Sequence, residues 1–487
     1  MVKWCVIFWC ALFFLVPAKV CSQGAPATPV PSTFFGLLTN QPGTRDFPQV
    51  QFGAMRLWDT GTQWKELETS NGVFNWSRLD AWVAEAKSNN KDVILTFAGV
   101  PAWAGGGTTF AAPPSDVDTT DLQWQTFVTA LVTRYRGQIA FYEGWNEPDL
   151  KQRWVGTEAQ MVTMMKDAYT IIHAIDPAAK LIGPSPSTGN QWNIHFLPAY
   201  YAAGGAPYQD IVGMHSYIYT NGQMSTTPEG IVIVFTMLKS LLSQFQLSNL
   251  PIFFTEGSYG GAPNNAGMAY PQKVDYIGRE YLLMLANGIT RYYWYSWDNA
   301  NFGTMWSLAG GVNPVGVAYG TLYKWLVGTT FVSLTKQQNG TQVVTLTLAD
   351  GSSAEIVWNI SASVPYATAF ANVGTLDGAS NSVVAGVATV SSTPQLLSGV
   401  VAVLPHTYII FTANYSSDGS TAVIVGEVDG VPVAAYVLMS NILQASSQSA
   451  SALQNLLASA MMAAKLSGTN LPTANPVTQV PIGSFTQ

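Results

Sequence analysis

Two glutamates stand out as groups that could do chemistry, because each closes a short apolar run. One lies in Tyr142-Glu143-Gly144-Trp145-Asn146-Glu147-Pro148-Asp149 and the other in Phe253-Phe254-Thr255-Glu256-Gly257-Ser258. A Glu at a strand end flanked by Asn and Pro is a poor core residue, and Glu256 ends a run whose place in the strand order sets it across from Glu147, so Glu147 and Glu256 are read as catalytic. Two carboxyl groups facing one cavity suit cleavage of a glycosidic bond, and a separation of about 5–5.5 Å suits retention of configuration. Of such a pair, one must hold a proton near neutral pH and needs a less polar site or a neighbouring negative charge. The other must stay ionised. Arg56 and the Tyr217 hydroxyl are candidates for stabilising that charge, and Asn146 is placed to bond a sugar 2-hydroxyl. Glu143, on the same strand as Glu147, reads as structural.

These residues need elements to present them. Eight β-rich runs recur between residues 33 and 297: Thr33–Thr39, Ala54–Asp59, Asp92–Ala98, Ile139–Asn146, Lys180–Pro184, Asp210–Tyr217, Pro251–Glu256 and Thr290–Trp297. Helical patterns fall between them, as in Trp76–Asn89, Leu122–Arg136, Thr157–Ile175, Pro228–Gln246, Gln272–Asn287 and Val315–Val327. Strand-then-helix units repeated in this way predict an α/β fold, a (β/α)8 TIM barrel over residues 33–330. No Gly-x-Gly-x-x-Gly follows the first run, which argues against a dinucleotide-binding sheet. In such a barrel the strand ends carry the chemistry, and strands four and seven face each other across the mouth.

After the barrel, alternation as in Val344-Thr-Leu-Thr-Leu predicts a β-sandwich-like accessory domain over 331–415. Residues 416–487 are expected to form a Ser/Ala-rich tail, disordered or partly helical, with a helical stretch over Leu438–Leu466. At the other end, Met1–Ser22 has the layout of a secretory signal peptide: Lys3, an apolar run too short to span a bilayer, then small and polar residues. Residues 23–32 read as a linker. A secreted or extracellular protein is therefore expected, periplasmic or cell-surface placement included, with no membrane span once the signal is removed. The oligomeric state is left open.

Composition narrows the classes further. Charged residues are 10% of the chain and the formal net charge is −7, which excludes a nucleic-acid binder with a basic face. All three cysteines, Cys5, Cys10 and Cys21, lie in the leading segment, so a processed chain has no thiol chemistry and no disulfide. The four histidines are scattered over different runs, and no metal or organic cofactor is implied. Sixteen Trp and 21 Tyr offer flat faces for sugar rings, Trp103 after the third run among them.

Trp145-Asn146-Glu147-Pro148 resembles the Asn-Glu-Pro signature of the clan A glycoside hydrolases. The resemblance runs over most of Phe34 to Gly328, and the phrasing from Arg56-Leu57-Trp58-Asp59 to Gly72-Val73-Phe74-Asn75-Trp76 is most similar to family 39 β-xylosidase-like enzymes and their relatives. It implies a retaining β-glycosidase with Glu147 as acid/base and Glu256 as nucleophile. It also implies Arg56 near the nucleophile, His215 and Tyr217 as an aromatic pair on strand six, and Trp297 as the strand-eight tryptophan beneath the sugar. Thr255-Glu256-Gly257 lacks the aromatic residue that often follows the nucleophile in family 39. The expected partner is a poly- or oligosaccharide. Two other readings use the same scaffold: a transglycosylase, and an inactive carbohydrate-binding surface protein.

Overall fold

The computed structural model describes residues 28–40, 47–188, 195–220, 223–261, 267–299, 302–400, 407–415, 419–428, 431–448, 450–466 and 483–486. The signal-peptide segment and residues 23–27 of the expected linker lie outside the described residues. Eight parallel strands form one sheet: β1 (Phe35–Leu38), β2 (Ala54–Leu57), β3 (Asp92–Thr96), β4 (Phe141–Glu143), β5 (Lys180–Ile182), β6 (Val212–Ser216), β7 (Ile252–Gly257) and β8 (Arg291–Trp294). Neighbours in sequence are neighbours in the sheet, β1 pairs with β8, and an Ile182–Ile211 bridge joins β5 to the approach of β6. The ring is closed, as the eightfold pattern requires.

Helices α1 (Ser77–Ser88), α2 (Leu122–Arg134), α3 (Glu158–Ile175), α4 (Phe196–Ala202), α5 (Ile231–Gln244), α6 (Tyr270–Ala286) and α7 (Pro314–Leu326) follow strands β2 to β8 in turn. Among the described residues, no helix joins β1 to β2. The ends of α3 show why it forms where it does. Thr157 and Gln160 cap each other's backbone N–H, at 3.2 and 2.9 Å, and Asp176-Pro177 stops the helix. Its buried face is Met161, Met164, Met165, Ala168 and Ile172.

Period-2 alternation sorts the strand residues between the helix shell and the barrel interior. Ala54, Ile94, Phe141, Ile182, Phe253 and Tyr293 fill an apolar interior layer. Two residues further along their strands come Arg56, Thr96 and Glu143, all buried, so the next layer up is polar. Strand β7 departs from strict alternation: its register against β6 slips between Phe254 and Glu256. This bulge adds one residue, so Glu256, which strict alternation from Phe253 would send outward, faces the interior. Gly257 follows because a Cβ there would meet Ser216 Oγ at 2.0 Å.

Strands β9 (Thr330–Lys336), β10 (Gln342–Thr347), β11 (Ser353–Trp358), β12 (Val364–Ala367), β13 (Phe370–Gly374), β14 (Ser380–Ser382), β15 (Val387–Val390) and β16 (Gln395–Val400) make the first accessory region. They form a six-stranded sheet and a two-stranded one, with antiparallel pairing. This region belongs to the same compact unit as the barrel. Asp275 on α6 accepts from Ser392 and Thr393 hydroxyls, both at 2.5 Å, and Arg279 donates to the Ser392 carbonyl at 3.1 Å. Val30, expected in the linker, is buried in the barrel core and exchanges backbone hydrogen bonds with Gly328 and Thr329.

The second compact unit starts at Val400, not at 416. It holds β17 (Thr407–Tyr415), β18 (Thr421–Val428), β19 (Val431–Leu438), helices α8 (Met439–Gln448) and α9 (Ala450–Leu466), and β20 (Gly483–Thr486). The four strands make one antiparallel sheet. Strand β17 pairs with β18 along its length, which places it with the residues that follow it. Ile424, Val428, Val433 and Val437 bury one face of the sheet with Ala458, Met461 and Ala464 of α9. No helix among the described residues is long and apolar enough to cross a membrane.

Candidate active site

The polar layer at the top of the barrel is organised around Arg56. Its Nε donates to Glu143 Oε2, its Nη1 to Glu256 Oε2 and its Nη2 to Asn146 Oδ1, each at 2.7 Å. The guanidinium thus fixes three acceptors from β4, β7 and the chain after β4. Thr96 adds a 2.5 Å bond to Glu143, and the Tyr217 hydroxyl donates to Glu256 Oε1 at 2.6 Å. Glu143 is therefore an interior residue with a cation beside it. Burial opposes its charge, yet Arg56 and His215 hold its carboxyl well below the usual range.

Glu147 reaches the same place by a different route. Beyond Glu143 the chain pairs irregularly with the segment after β5: Gly144 N–H donates to Ile182, Ser185 N–H to Trp145 and Glu147 N–H to Ser185. Glu147 then adopts φ = 48°, the left-handed region that a non-glycine residue enters at a cost of about 1–3 kcal/mol. The turn carries its carboxyl back over the mouth, where Oε1 lies 3.1 Å from His215 Nδ1. One carboxylate oxygen of Glu147, one of Glu256 and a His215 ring nitrogen all lie within 4.8 Å of one another.

That spacing would also suit three metal ligands. However, the Arg56 guanidinium already sits 2.7 Å from Glu256 and 3.3 Å from His215 Nε2, and a fixed cation inside the cluster opposes a second one. For His215, burial works against the imidazolium, but Glu256, Glu143 and Glu147 outweigh it and lift its pKa to about 9. Burial pushes the Glu147 carboxyl up, but the bond from His215 and its charge prevail and hold it below the usual range. Burial pushes Glu256 up against the pull of His215 and Arg56. The three groups together carry a proton close to both carboxyls.

A cavity of about 320 Å³ opens above this layer, lined by Trp58, Glu147, Leu150, Arg153, Ser187, Tyr217, Tyr219, Glu256, Tyr295 and Phe302. Of the residues singled out in the sequence, Glu147, Glu256 and Tyr217 line it. Arg56, Asn146 and His215 form the buried layer around them, and Asn146 Nδ2 is a buried donor with no partner among the described residues. Trp297 and Trp103 lie elsewhere. Trp297 is buried against Trp306, ring centroids 6.2 Å apart, and its place at the mouth is taken by Tyr295, whose hydroxyl donates to Asp59 at 2.6 Å. Trp103 packs edge-on against Trp64, and its indole N–H donates to the Glu68 carbonyl at 3.0 Å. Sequence reasoning missed Tyr295, Phe302, Arg153, Ser187 and Tyr219. Most of these lie in loops, where no periodicity tells which side chain turns inward.

A closed eight-stranded barrel with glutamates at the ends of strands four and seven has the carboxyl arrangement that O-glycosyl hydrolysis requires. Comparison with known proteins places it further. The model of the cellulase family (glycosyl hydrolase family 5) matches residues 51–300, and the chain belongs to that family. Among solved structures it is similar to a family 39 glycoside hydrolase from the gut symbiont Bacteroides cellulosilyticus WH2, at 18% identity and a TM-score of 0.60 over 76% of this chain and 81% of that one. It is also similar to a glucosidase from Croceicoccus marinus, at 14% identity and a TM-score of 0.56 over 77% and 97% of the two chains. A family 39 β-xylosidase from Caulobacter crescentus matches at 16% identity and a TM-score of 0.53 over 77% and 98%. The expected resemblance to clan A is met; at these identities the likeness to family 39 structures is one of fold.

Proposed function

We propose that the protein is a secreted, retaining β-glycosidase that hydrolyses poly- or oligosaccharides by double displacement. The observation that carries this reading is the Glu147–His215–Glu256 cluster, whose atoms lie within 4.8 Å of one another at the floor of an open cavity. In the first step a Glu256 oxygen bonds to the anomeric carbon as the bond to the leaving oxygen breaks. That oxygen departs with the electron pair and takes a proton from Glu147. In the second step water attacks the anomeric carbon, gives its proton to Glu147, and Glu256 leaves as the carboxylate. Arg56 and Tyr217 each hold one Glu256 oxygen and so keep a defined lone pair aimed at the sugar.

The proton for the first step is held one hydrogen bond away. It is held in the 3.1 Å hydrogen bond between His215 Nδ1 and Glu147 Oε1, and Glu147 carries it when the leaving oxygen arrives and the Glu256 charge is consumed. Asn146 Nδ2, with no protein partner, is left to bond the sugar 2-hydroxyl. Export rests on the leading segment, whose charge, apolar run and small residues have the form of a cleavable signal.

The test is the leaving-group dependence of two variants. Glu256→Ala should lower turnover of an aryl β-glycoside by about 10⁴-fold or more. Glu147→Ala should lose about 10²–10⁴-fold on glycosides whose leaving group needs a proton, and far less on those with an acidic phenol. Unchanged activity in either folded variant would overturn the assignment.

A further inference from the structure

We infer that the cleft takes a sugar bearing a carboxylate, held by Arg153. This rests on the glycosidase reading and names the substrate class for the same site. Arg153 lines the cavity with Glu147 and Ser187, and its guanidinium carbon lies 4.5 Å over the Trp58 ring centre. Its Nε is fully covered and has no hydrogen-bond partner among the described residues. Among the described residues it forms no ion pair. The arginines with the most covered side chains behave differently: Arg56 is paired with Glu143 and Glu256, Arg279 with Glu229, and Arg291 with Asp92, at 2.7–2.8 Å.

A guanidinium partly withdrawn from water without an acceptor is costly, and its planar fork matches a carboxylate in two parallel bonds. Trp58 covers one face of the fork, which leaves its edge to bind in plane. The backbone fixes the presentation: Arg153 N–H donates to the Leu150 carbonyl at 2.7 Å, and its own carbonyl accepts from the Trp145 indole at 3.1 Å. The cleft also carries Glu147 and Glu256, whose charge would repel an anionic sugar without a cation beside it. Arg153 supplies that cation, and its field reaches the Glu147 carboxyl.

The experiment uses oligosaccharides that contain uronic acids, the same oligosaccharides after chemical reduction of the carboxyls to hydroxymethyl groups, and sulfated counterparts. Binding to the full-length protein is measured by calorimetry, and hydrolysis is followed in parallel. The acidic form should bind about 10-fold or more tightly than the reduced form. Arg153→Leu should abolish that preference and Arg153→Lys, which keeps the charge but loses the fork, should retain part of it. Thermal melts check that each variant is folded, and the Lys variant carries the test if the Leu variant is not. Equal binding of the acidic and reduced forms, a preference that survives Arg153→Leu, or tighter binding of the sulfated form would overturn the inference. An Arg153-dependent preference with no hydrolysis of any glycoside would leave the inference standing and sink the glycosidase reading instead.

Discussion

Strand β6 separates two buried carboxyl environments, and adjacent residues on it serve each. His215 points inward to Glu147, within the Arg56 network. Ser216 points outward to Glu280 on α6, whose only other described partner is the Tyr292 hydroxyl, at 2.6 Å. Both sites are fully buried, yet only the inner one contains a guanidinium. Burial pushes Glu280 up to about 8, while Arg56 helps to keep Glu143 ionised at the same depth. The contrast shows what a neighbouring cation does at equal depth: beside Arg56 a buried carboxyl stays ionised, and without a cation burial pushes it toward its neutral form.

Removing the cation should erase the difference. Arg56→Met leaves Glu143 and Glu256 buried with His215 as their one remaining described cation, and should destabilise the protein by about 3–5 kcal/mol, measured by denaturant unfolding. A loss under about 1 kcal/mol would mean that the network does not hold the barrel top together. The histidine sharpens the comparison through pH. Its folded pKa of about 9 exceeds the ordinary value of 6.5, so its stabilising contribution is complete below pH 6.5 and is lost as pH rises through 9. That window should span about 3 kcal/mol and flatten in His215→Asn. An effect of opposite sign is expected outside the network. Because Glu280 has a raised folded pKa, its ionisation costs stability as pH rises from 4.5 to about 8. Glu280→Gln should therefore be neutral in acid and stabilise the protein above pH 8, by at most about 5 kcal/mol, as read from melts across pH.

Much of this was legible in the sequence. The eight strand ends were visible because parallel strands buried on both faces read as apolar runs, and Glu147 and Glu256 stood out by closing two of them. The polar layer was partly legible: Arg56 and Glu143 follow interior residues at period two, but that they bond each other depends on strands 87 residues apart meeting in one ring. The bulge that turns Glu256 inward has no local signature, since Phe-Phe-Thr-Glu-Gly reads equally well without it. Trp297 was expected at the cleft by its place after strand eight. The chain turns so that Tyr295 faces the cavity and Trp297 packs on Trp306. Helix α4 was missed because seven residues show too little periodicity. The expected boundary at 415 fell between β17 and β18, two strands that pair antiparallel, because a turn sequence at 416–420 looks the same inside a hairpin as at the end of a domain.

The central claim is that Glu147 and Glu256 act by double displacement. Its most direct test is proton NMR of the first sugar released from a β-glycoside that the protein cleaves, recorded before mutarotation. The account predicts that the β-anomer appears first and the α-anomer only as the solution equilibrates. Initial release of the α-anomer would contradict it, because inversion requires water, and not Glu256, to strike the anomeric carbon directly.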